Sequence, residues 1–331
     1  QVTPVKGLQI KSLFAPNYSN STIGQFDDTK VTDYKTNEAQ LTKRQWFQYA
    51  WDNTISYAET FKEKHSINLM ALYSINGMQY NYDYFKYTGV MDGTLWYNLS
   101  TGTYDAANSR TDYQMNRMMS AAMRANYSYA GRYMVTATVR ADGSSKFAKG
   151  HRWGVFPSVA LAWRMSEEQW MQEVQWITNI KWRLSYGMTG NNSGIGNYAT
   201  IQSIAGPIYY PFGGSYNTGY YPNAIIDPEL TWEKSAEWNA GVDFGFLRDR
   251  ITGTVDFYNK VSSNLLYSVE LPLEAGGQKV VTNVGSVLNR GIEFGLKTIN
   301  VEKNGWHWET SFTLAHNHNE ILEINGSGTD L

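Results

Sequence analysis

The sequence predicts an all-β chain that forms part of a large antiparallel barrel crossing a membrane. Three observations carry that expectation. Apolar and polar side chains alternate at period two along most of the chain, short connectors alternate with long ones, and the mean hydropathy is only −0.46. Successive strand side chains point to opposite faces, so a barrel strand meets lipid with every second residue and its average hydropathy looks soluble. No uninterrupted apolar run approaches the ~18 residues of a transmembrane helix, which excludes helices and leaves the barrel open.

Composition narrows the classes further. The 331 residues carry 28 basic and 30 acidic side chains, a net charge of −2, with no electrostatic footprint for nucleic acid. Cysteine is absent, which excludes a disulfide scaffold, cysteine-ligated zinc and a thiol nucleophile. Aromatics are the outlier, at 15% with 24 Tyr, 13 Phe and 12 Trp. The chain opens Gln1-Val2-Thr3-Pro4, without Met or a charged-then-apolar signal segment, as expected of a processed product or a piece of something longer.

Taken in order, the strand runs fall at 6–14, 45–60, 65–77, 114–130, 131–142, 152–165, 179–189, 229–246, 249–263, 288–300 and 305–320. The alternation is clearest where Tyr133, Val135, Ala137 and Val139 interleave with Met134, Thr136, Thr138 and Arg140. It recurs as Ile180, Trp182, Leu184 and Tyr186 against Lys181, Arg183 and Ser185. Trp238, Ala240, Val242 and Phe244 likewise alternate with Asn239, Gly241 and Asp243. Four tight connectors (61–64, 130–132, 247–250, 301–305) are charged or turn-forming, and four long ones span 15–44, 78–113, 190–228 and 264–287. Such asymmetry fits short periplasmic turns and long extracellular loops; a soluble sandwich has no reason for it. In the connector 166–178, Ser166 with Gln169 reads as a capping box and Trp170, Val174 and Ile177 recur at helical spacing, so one or two turns of interfacial helix are expected.

About eleven strands result, and an odd count leaves the two ends on opposite sides, whereas single-chain bacterial barrels have even counts. An open sheet edge cannot sit in hydrocarbon, so the expectation is a piece that pairs at both edges with the remainder of its own barrel.

Several stretches then form a familiar succession. Arg140-Ala141-Asp142-Gly143-Ser144-Ser145-Lys146-Phe147 precedes Trp153-Gly154-Val155-Phe156-Pro157-Ser158 and Trp163-Arg164-Met165-Ser166-Glu167-Glu168. Lys181-Trp182-Arg183-Leu184-Ser185-Tyr186-Gly187-Met188-Thr189-Gly190-Asn191, Leu230-Thr231-Trp232-Glu233-Lys234-Ser235 and Asn289-Arg290-Gly291-Ile292-Glu293-Phe294 follow. The succession resembles the barrel of the SusC/RagA family of TonB-dependent outer-membrane transporters over most of 5–325. The resemblance implies a 22-stranded barrel, of which this chain would be about half, closed by an N-terminal plug. It further implies a SusD-like surface lipoprotein as lid, coupling to the TonB complex, import of oligosaccharides or peptides, and a dimer of transporter–lid pairs in the outer membrane of a Gram-negative bacterium. Residues 1–331 are expected to be partial barrel throughout, with plug and TonB-binding segment outside this chain. No closing strand with a terminal aromatic is seen before Asp330-Leu331.

The chemistry-bearing motifs are weighed against plainer roles. Asp142-Gly143-Ser144-Ser145 matches no calcium loop and reads as a hairpin tip in which Gly supplies positive φ. His316, His318 and Glu320 alternate on one face but lack a second cluster, so solvated rim residues are expected and no metal. His65, His151 and His307 join no Ser/His/Asp arrangement, and no enzyme is expected. Glu167 and Glu168 suit a first helical turn rather than a glycosidase pair. Gly194-Ile195-Gly196 and Gly276-Gly277-Gln278-Lys279 lack the context of phosphate loops, and no cofactor is expected.

Charges on the polar face are Arg124, Arg140, Arg164, Lys181 and Arg183 with Asp52, Glu237, Asp243, Asp256, Glu293 and Glu309. They are candidates for lining the lumen or gripping the plug, with mutual ion pairing as the plainer role. Trp96-Tyr97, Tyr209-Tyr210-Phe212 and Tyr216, Tyr220 and Tyr221 fall in long loops, where sugar rings could stack on them or loops and lid could pack. Trp46, Trp51, Trp153, Trp163, Trp182, Trp306 and Trp308 are read as interfacial girdles near strand ends. Two other functions remain open from the residues: a soluble secreted carbohydrate-binding or hydrolysing β-protein, and a passive porin.

Overall fold

A computed structural model of the chain describes residues 1–31, 33–222, 225–272 and 279–324. Its main sheet begins with β1 (Val2–Val5), β2 (Leu8–Asp27), β3 (Glu38–Phe61), β4 (His65–Thr88) and β5 (Thr103–Tyr104). It continues through β6 (Arg110–Tyr129), β7 (Tyr133–Ser144), β8 (Trp153–Arg164) and β9 (Ile177–Asn191). β10 (Ile204–Phe212) and β11 (Ser215–Pro222) form a separate hairpin, as do β14 (Leu266–Glu270) and β15 (Lys279–Asn283). Between and after them lie β12 (Glu233–Phe246), β13 (Ile251–Ser263), β16 (Ser286–Lys303) and β17 (Trp306–Glu323). The main sheet has thirteen strands in the order β1-β2-β3-β4-β6-β7-β8-β9-β12-β13-β16-β17, with β5 against β4. Without the short β1 and β5, eleven long strands remain, the number expected from periodicity.

The chain divides into two compact units. The larger comprises 1–11, 53–73 and 120–331, the smaller 12–52 and 74–119. In the larger unit the register lines up rows of side chains across many strands. Trp163, Trp182, Val242, Val255, Phe294 and Leu314 form one row through consecutive antiparallel pairings. One step along the strands, Ala162, Arg183, Gly241, Asp256, Glu293 and Ala315 form the next. On β7 the greasy side is the exposed one: Tyr133, Val135, Ala137 and Val139 are exposed while Met134, Thr136, Thr138 and Arg140 are half-buried. In the first row Trp182 and Leu314 are exposed and Trp163, Val242, Val255 and Phe294 half-buried. Trp182 and Leu184 are each 50% exposed, the inverse of a water-soluble core.

Along the chain, one set of connectors (28–37, 89–109, 145–152, 192–232, 264–285) alternates with another (62–64, 130–132, 165–176, 247–250, 304–305). The first set is the longer, except that 28–37 and 145–152 are shorter than 165–176. Several sequence expectations need correction. β2 runs to Asp27, β3 starts at Glu38 and β4 runs to Thr88, so much of the expected loops 15–44 and 78–113 is strand. Their outer ends carry few aliphatic side chains and many tyrosines and polar residues, which weakens the hydrophobic alternation but not the backbone pairing. The expected loops 190–228 and 264–287 contain hairpins of their own.

No interfacial α-helix forms at 166–178. A single 3₁₀ turn, Met165–Glu167, is followed by hydrogen-bonded turns, and Ser166 Oγ is buried without a partner instead of capping. Glu168 is held by three side chains rather than by a helix dipole. Tyr133 Oη donates to it, as do Trp163 Nε1 at 3.1 Å and Arg132 Nη1 at 3.3 Å, and these donors hold its carboxyl below the usual range. Asp142-Gly143 is not a hairpin tip either, since both residues pair within β7 and β8, opposite Gly154 and Trp153. Gly143 is needed because a Cβ there would stand 2.8 Å from the Trp153 indole. Trp153, Trp163, Trp306 and Trp308 do lie at or near strand ends, but Trp46, Trp51 and Trp182 lie well inside β3 and β9. Gly276-Gly277 and Asp330-Leu331 lie outside the described residues.

In the full-length protein, Val242→Arg should cost ~2–4 kcal/mol on the lipid face and deplete the folded, heat-modifiable form from the membrane. Asn239→Arg, on the opposite face of the same strand, should assemble nearly normally. Equal membrane levels of the two variants would reverse the assignment of faces.

Candidate functional site

The polar face of the larger unit is organised around one cation. Arg183 on β9 reaches across β12 and bridges Asp243 at 2.8 Å and Asp256 on β13 at 2.9 Å. The crossing is possible because Gly241 stands between them: a Cβ there would meet Asp256 Oδ1 at 2.3 Å and Arg183 Nη2 at 2.9 Å. A glycine in the polar register of β12 was the sequence signal, and periodicity alone gave it no weight. Arg140 forms a second cluster, donating to Asp142 at 2.7 Å and to the fully buried Ser120 Oγ at 3.0 Å. Arg124 donates to Thr138 at 3.4 Å, whereas Arg164 turns to Glu167 at 3.0 Å in the short connector. Glu293 continues the Arg183–Asp256 row. Lys181 lies beside Asp243 in register, and Glu309 accepts from Lys297 at 2.9 Å. Glu237 pairs in register with Gly187 and Lys260, while in the smaller unit Asp52 accepts from Ser74. The plainer role, mutual pairing, therefore accounts for several of these charges.

Beyond the long-connector ends of β7, β8, β9 and β12 lies a dry cluster. Its rings are Phe147, Phe156 and Trp232, all buried, and the connectors around it also bury Ile195 and, completely, Leu230. Phe147 and Trp232 rings meet at 5.2 Å, and Phe156 meets Trp232 nearly edge-on at 5.7 Å. Gly190 makes room, since a Cβ there would stand 2.1 Å from the Phe156 ring. Polar links lock the cluster. Lys146 Nζ donates to the carbonyls of Ile195 at 3.0 Å and Asn192 at 3.2 Å, and burial pushes its pKa down. Trp232 Nε1 donates to the Arg152 carbonyl at 2.9 Å, and Asn283 Nδ2 donates to Thr231 O at 2.9 Å. Connectors 145–152, 192–232 and 264–285 are thus clasped together. Most motifs that carried the family resemblance converge on this clasp, a convergence that sequence order could not reveal.

The aromatic loop candidates divide between the units. In the smaller, Trp96 and Tyr97 rings meet at 4.4 Å, and Trp96 covers Gly24, where a Cβ would stand 1.9 Å from the indole. In the larger, the other six sit on the β10–β11 ribbon. Cross-strand register puts Tyr209, Tyr216 and Tyr220 on one face and Tyr210, Phe212 and Tyr221 on the other. All six are exposed, with Tyr216 at 81%. Sequence reading missed Tyr80, Tyr82 and Tyr84, which it left in a loop; they lie on one face of β4. Their period-two spacing was the available signal. His318 faces Glu320 at 3.2 Å on β17, and no group of three metal-capable side chains occurs among the described residues.

Exposed greasy rows, a charged opposite face and clasped large loops define the wall of a membrane-spanning β-barrel. The chain belongs to the TonB dependent receptor-like, beta-barrel family, whose profile matches residues 6–330. It is 32% identical to TonB-dependent receptor P39 of Formosa agariphila, over 96% of this chain and 30% of that protein. It is 36% identical to TonB-dependent receptor SusC of Bacteroides thetaiotaomicron, over 73% of this chain and 25% of that protein. In fold it is similar to the RagAB peptide transporter, with a TM-score of 0.85 at 24% identity, over 98% of this chain and 36% of that one. The chain therefore spans about a third or less of the length of these proteins.

Trp232→Ala should cost ~3–5 kcal/mol locally. In intact cells, connector 192–232 should become cleavable by added protease while the strands stay assembled. Unchanged protease resistance would mean that the loops are held by something else.

Proposed function

We propose that this chain is the strand wall of an outer-membrane importer that moves oligosaccharides or peptides with energy relayed by TonB. The observation that carries the reading is the inverted sheet: greasy side chains of β7, β8 and β9 stand exposed where hydrocarbon would lie, and paired charges occupy the other face. Membership of the TonB-dependent receptor family supports the energised mode over a passive porin. Among the described residues β17 pairs along one edge, and unpaired amides are not tolerated in hydrocarbon, so further strands would complete the sheet. The remainder of the barrel, a plug and a TonB-binding segment are accordingly assigned to the longer protein. Arg124, Arg140, Arg164, Arg183, Asp243, Asp256 and Glu293 would line the conduit or contact the plug. The exposed aromatics of β10–β11, with Trp96 and Tyr97, would hold substrate or seat a SusD-like lipoprotein lid. Transporter–lid pairs would associate as dimers. Chemistry at a covalent bond has no part in this reading.

The test is uptake of a labelled oligosaccharide or oligopeptide by cells carrying the full-length protein. Uptake should cease when the proton-motive force is collapsed and when TonB is deleted, and a surface lipoprotein should copurify with the transporter. Uptake that persists without an energised inner membrane would identify a porin instead.

A further inference from the structure

The smaller unit holds a feature that the charge pairing and the loop aromatics leave unexplained. On β3, Gln40, Arg44 and Trp46 share a face; on β4, so do Tyr80, Tyr82, Tyr84 and Lys86. Trp46 stacks on Tyr80 with centroids 4.9 Å apart and planes at 28°. Tyr80 leads to Tyr82 at 6.4 Å, and Tyr84 Oη donates to Gln40 Oε1 at 2.9 Å. The Tyr82 ring has two guanidinium neighbours. Arg44 Cζ lies 5.7 Å and Arg110 Cζ 5.2 Å from its centroid, and Arg110 Nη2 donates to Tyr82 Oη at 3.4 Å.

The charge balance here is the informative part. Lys86 is neutralised by Glu38 at 2.8 Å. Asp112, two residues from Arg110 on its own strand, accepts from Gln114 at 2.7 Å. Among the described residues, neither Arg44 nor Arg110 has a carboxylate within ion-pair distance. Contact through the ring face leaves in-plane N–H groups of a guanidinium available, and such forks bind carboxylate or sulfate oxygens in pairs.

The track also stands where a solute can reach it. β3 and β4 each run for 24 residues, whereas a tilted membrane crossing needs only ~9–11. The reverse face of these stretches is mostly polar, with Lys43 and Gln45 beside Leu41 on β3 and Gln79, Asn81 and Asp83 on β4 before Phe85, whose ring lies 6.5 Å from that of Tyr104. Lipid does not cover such a surface, so this part of the strands is in water on both sides.

We propose that Trp46, Tyr80 and Tyr82 with Arg44 and Arg110 form a binding track for an acidic oligosaccharide. A sugar ring packs on the aromatic edge while its carboxylate or sulfate is held by the guanidinium pair. The aromatic series favours a ring-bearing ligand over an extended peptide, and the two unneutralised cations select an anionic one. The inference rests on the import reading for its biological setting but is tested by binding alone.

The full-length transporter in detergent is titrated by calorimetry with tetragalacturonate, maltotetraose and tetra-alanine. Tetragalacturonate should bind at least tenfold more tightly than the other two, weakening as salt is raised. Arg44→Met and Arg110→Met should each lose about tenfold for the acidic sugar while heat-modifiability stays normal. Trp46→Ala should weaken saccharide binding without changing its salt dependence. Equal affinity for maltotetraose, preference for the peptide, no binding of tetragalacturonate, or intact binding in both Arg variants would overturn the proposal. Arginine-dependent binding without energised uptake in cells would sustain the track and remove only the import reading.

Discussion

Every feature of this chain depends on where its backbone amides find partners. In hydrocarbon an unpaired N–H or C=O costs several kcal/mol, so strands must pair laterally and the sheet cannot be left open. Once lateral pairing is fixed, the pleat alone sorts side chains to two faces. The row from Trp163 to Leu314 and the row from Ala162 to Ala315 are therefore two outcomes of one register. A slip of one residue in β9 would carry Arg183 into lipid and Leu184 into water, so the membrane itself enforces the register.

Glycine and large aromatics do complementary work along this frame. Gly241 removes a side chain so that Arg183 can reach two carboxylates on two other strands. Gly190 and Gly143 remove side chains beneath the rings of Phe156 and Trp153. The long connectors would otherwise bear the entropy of closing large loops, which grows with their length. Burial of Phe147, Phe156 and Trp232 in one cluster offsets that cost and, with the hydrogen bonds around it, gives three connectors a common anchor. The β10–β11 ribbon extends from this anchor with both faces exposed, free to meet a second molecule.

Two arginine environments differ in a way that assigns different work to them. Arg183 is already satisfied by Asp243 and Asp256, which suits a wettable, rigid wall. Arg44 and Arg110 face the ring of Tyr82 with their charge unmatched by any described carboxylate. Screening by water limits what either arrangement adds to stability. Selectivity follows a different rule, because an unneutralised guanidinium fork keeps its preference for an oxyanion.

The sequence by itself determined the all-β class, the eleven long strands and the inverted faces, because period-two alternation is a direct image of the pleat in an apolar medium. It also placed Tyr133, Val135 and Val139 against Thr136 and Arg140 correctly. It lost the strand at Tyr80 to Lys86, where tyrosines rather than aliphatic side chains hold the alternate positions and their period was passed over as loop composition. It misjudged Ser166 and Gln169, whose helix-like spacing gave way to a Glu168 anchored by Tyr133, Trp163 and Arg132. The three-dimensional pairing was needed to bring Phe147 and Phe156 onto Trp232, to seat Phe156 over Gly190, and to place Arg44 and Arg110 at one ring. Those contacts join residues tens of positions apart across strands, and strand register is set by pairing in three dimensions rather than by local spacing.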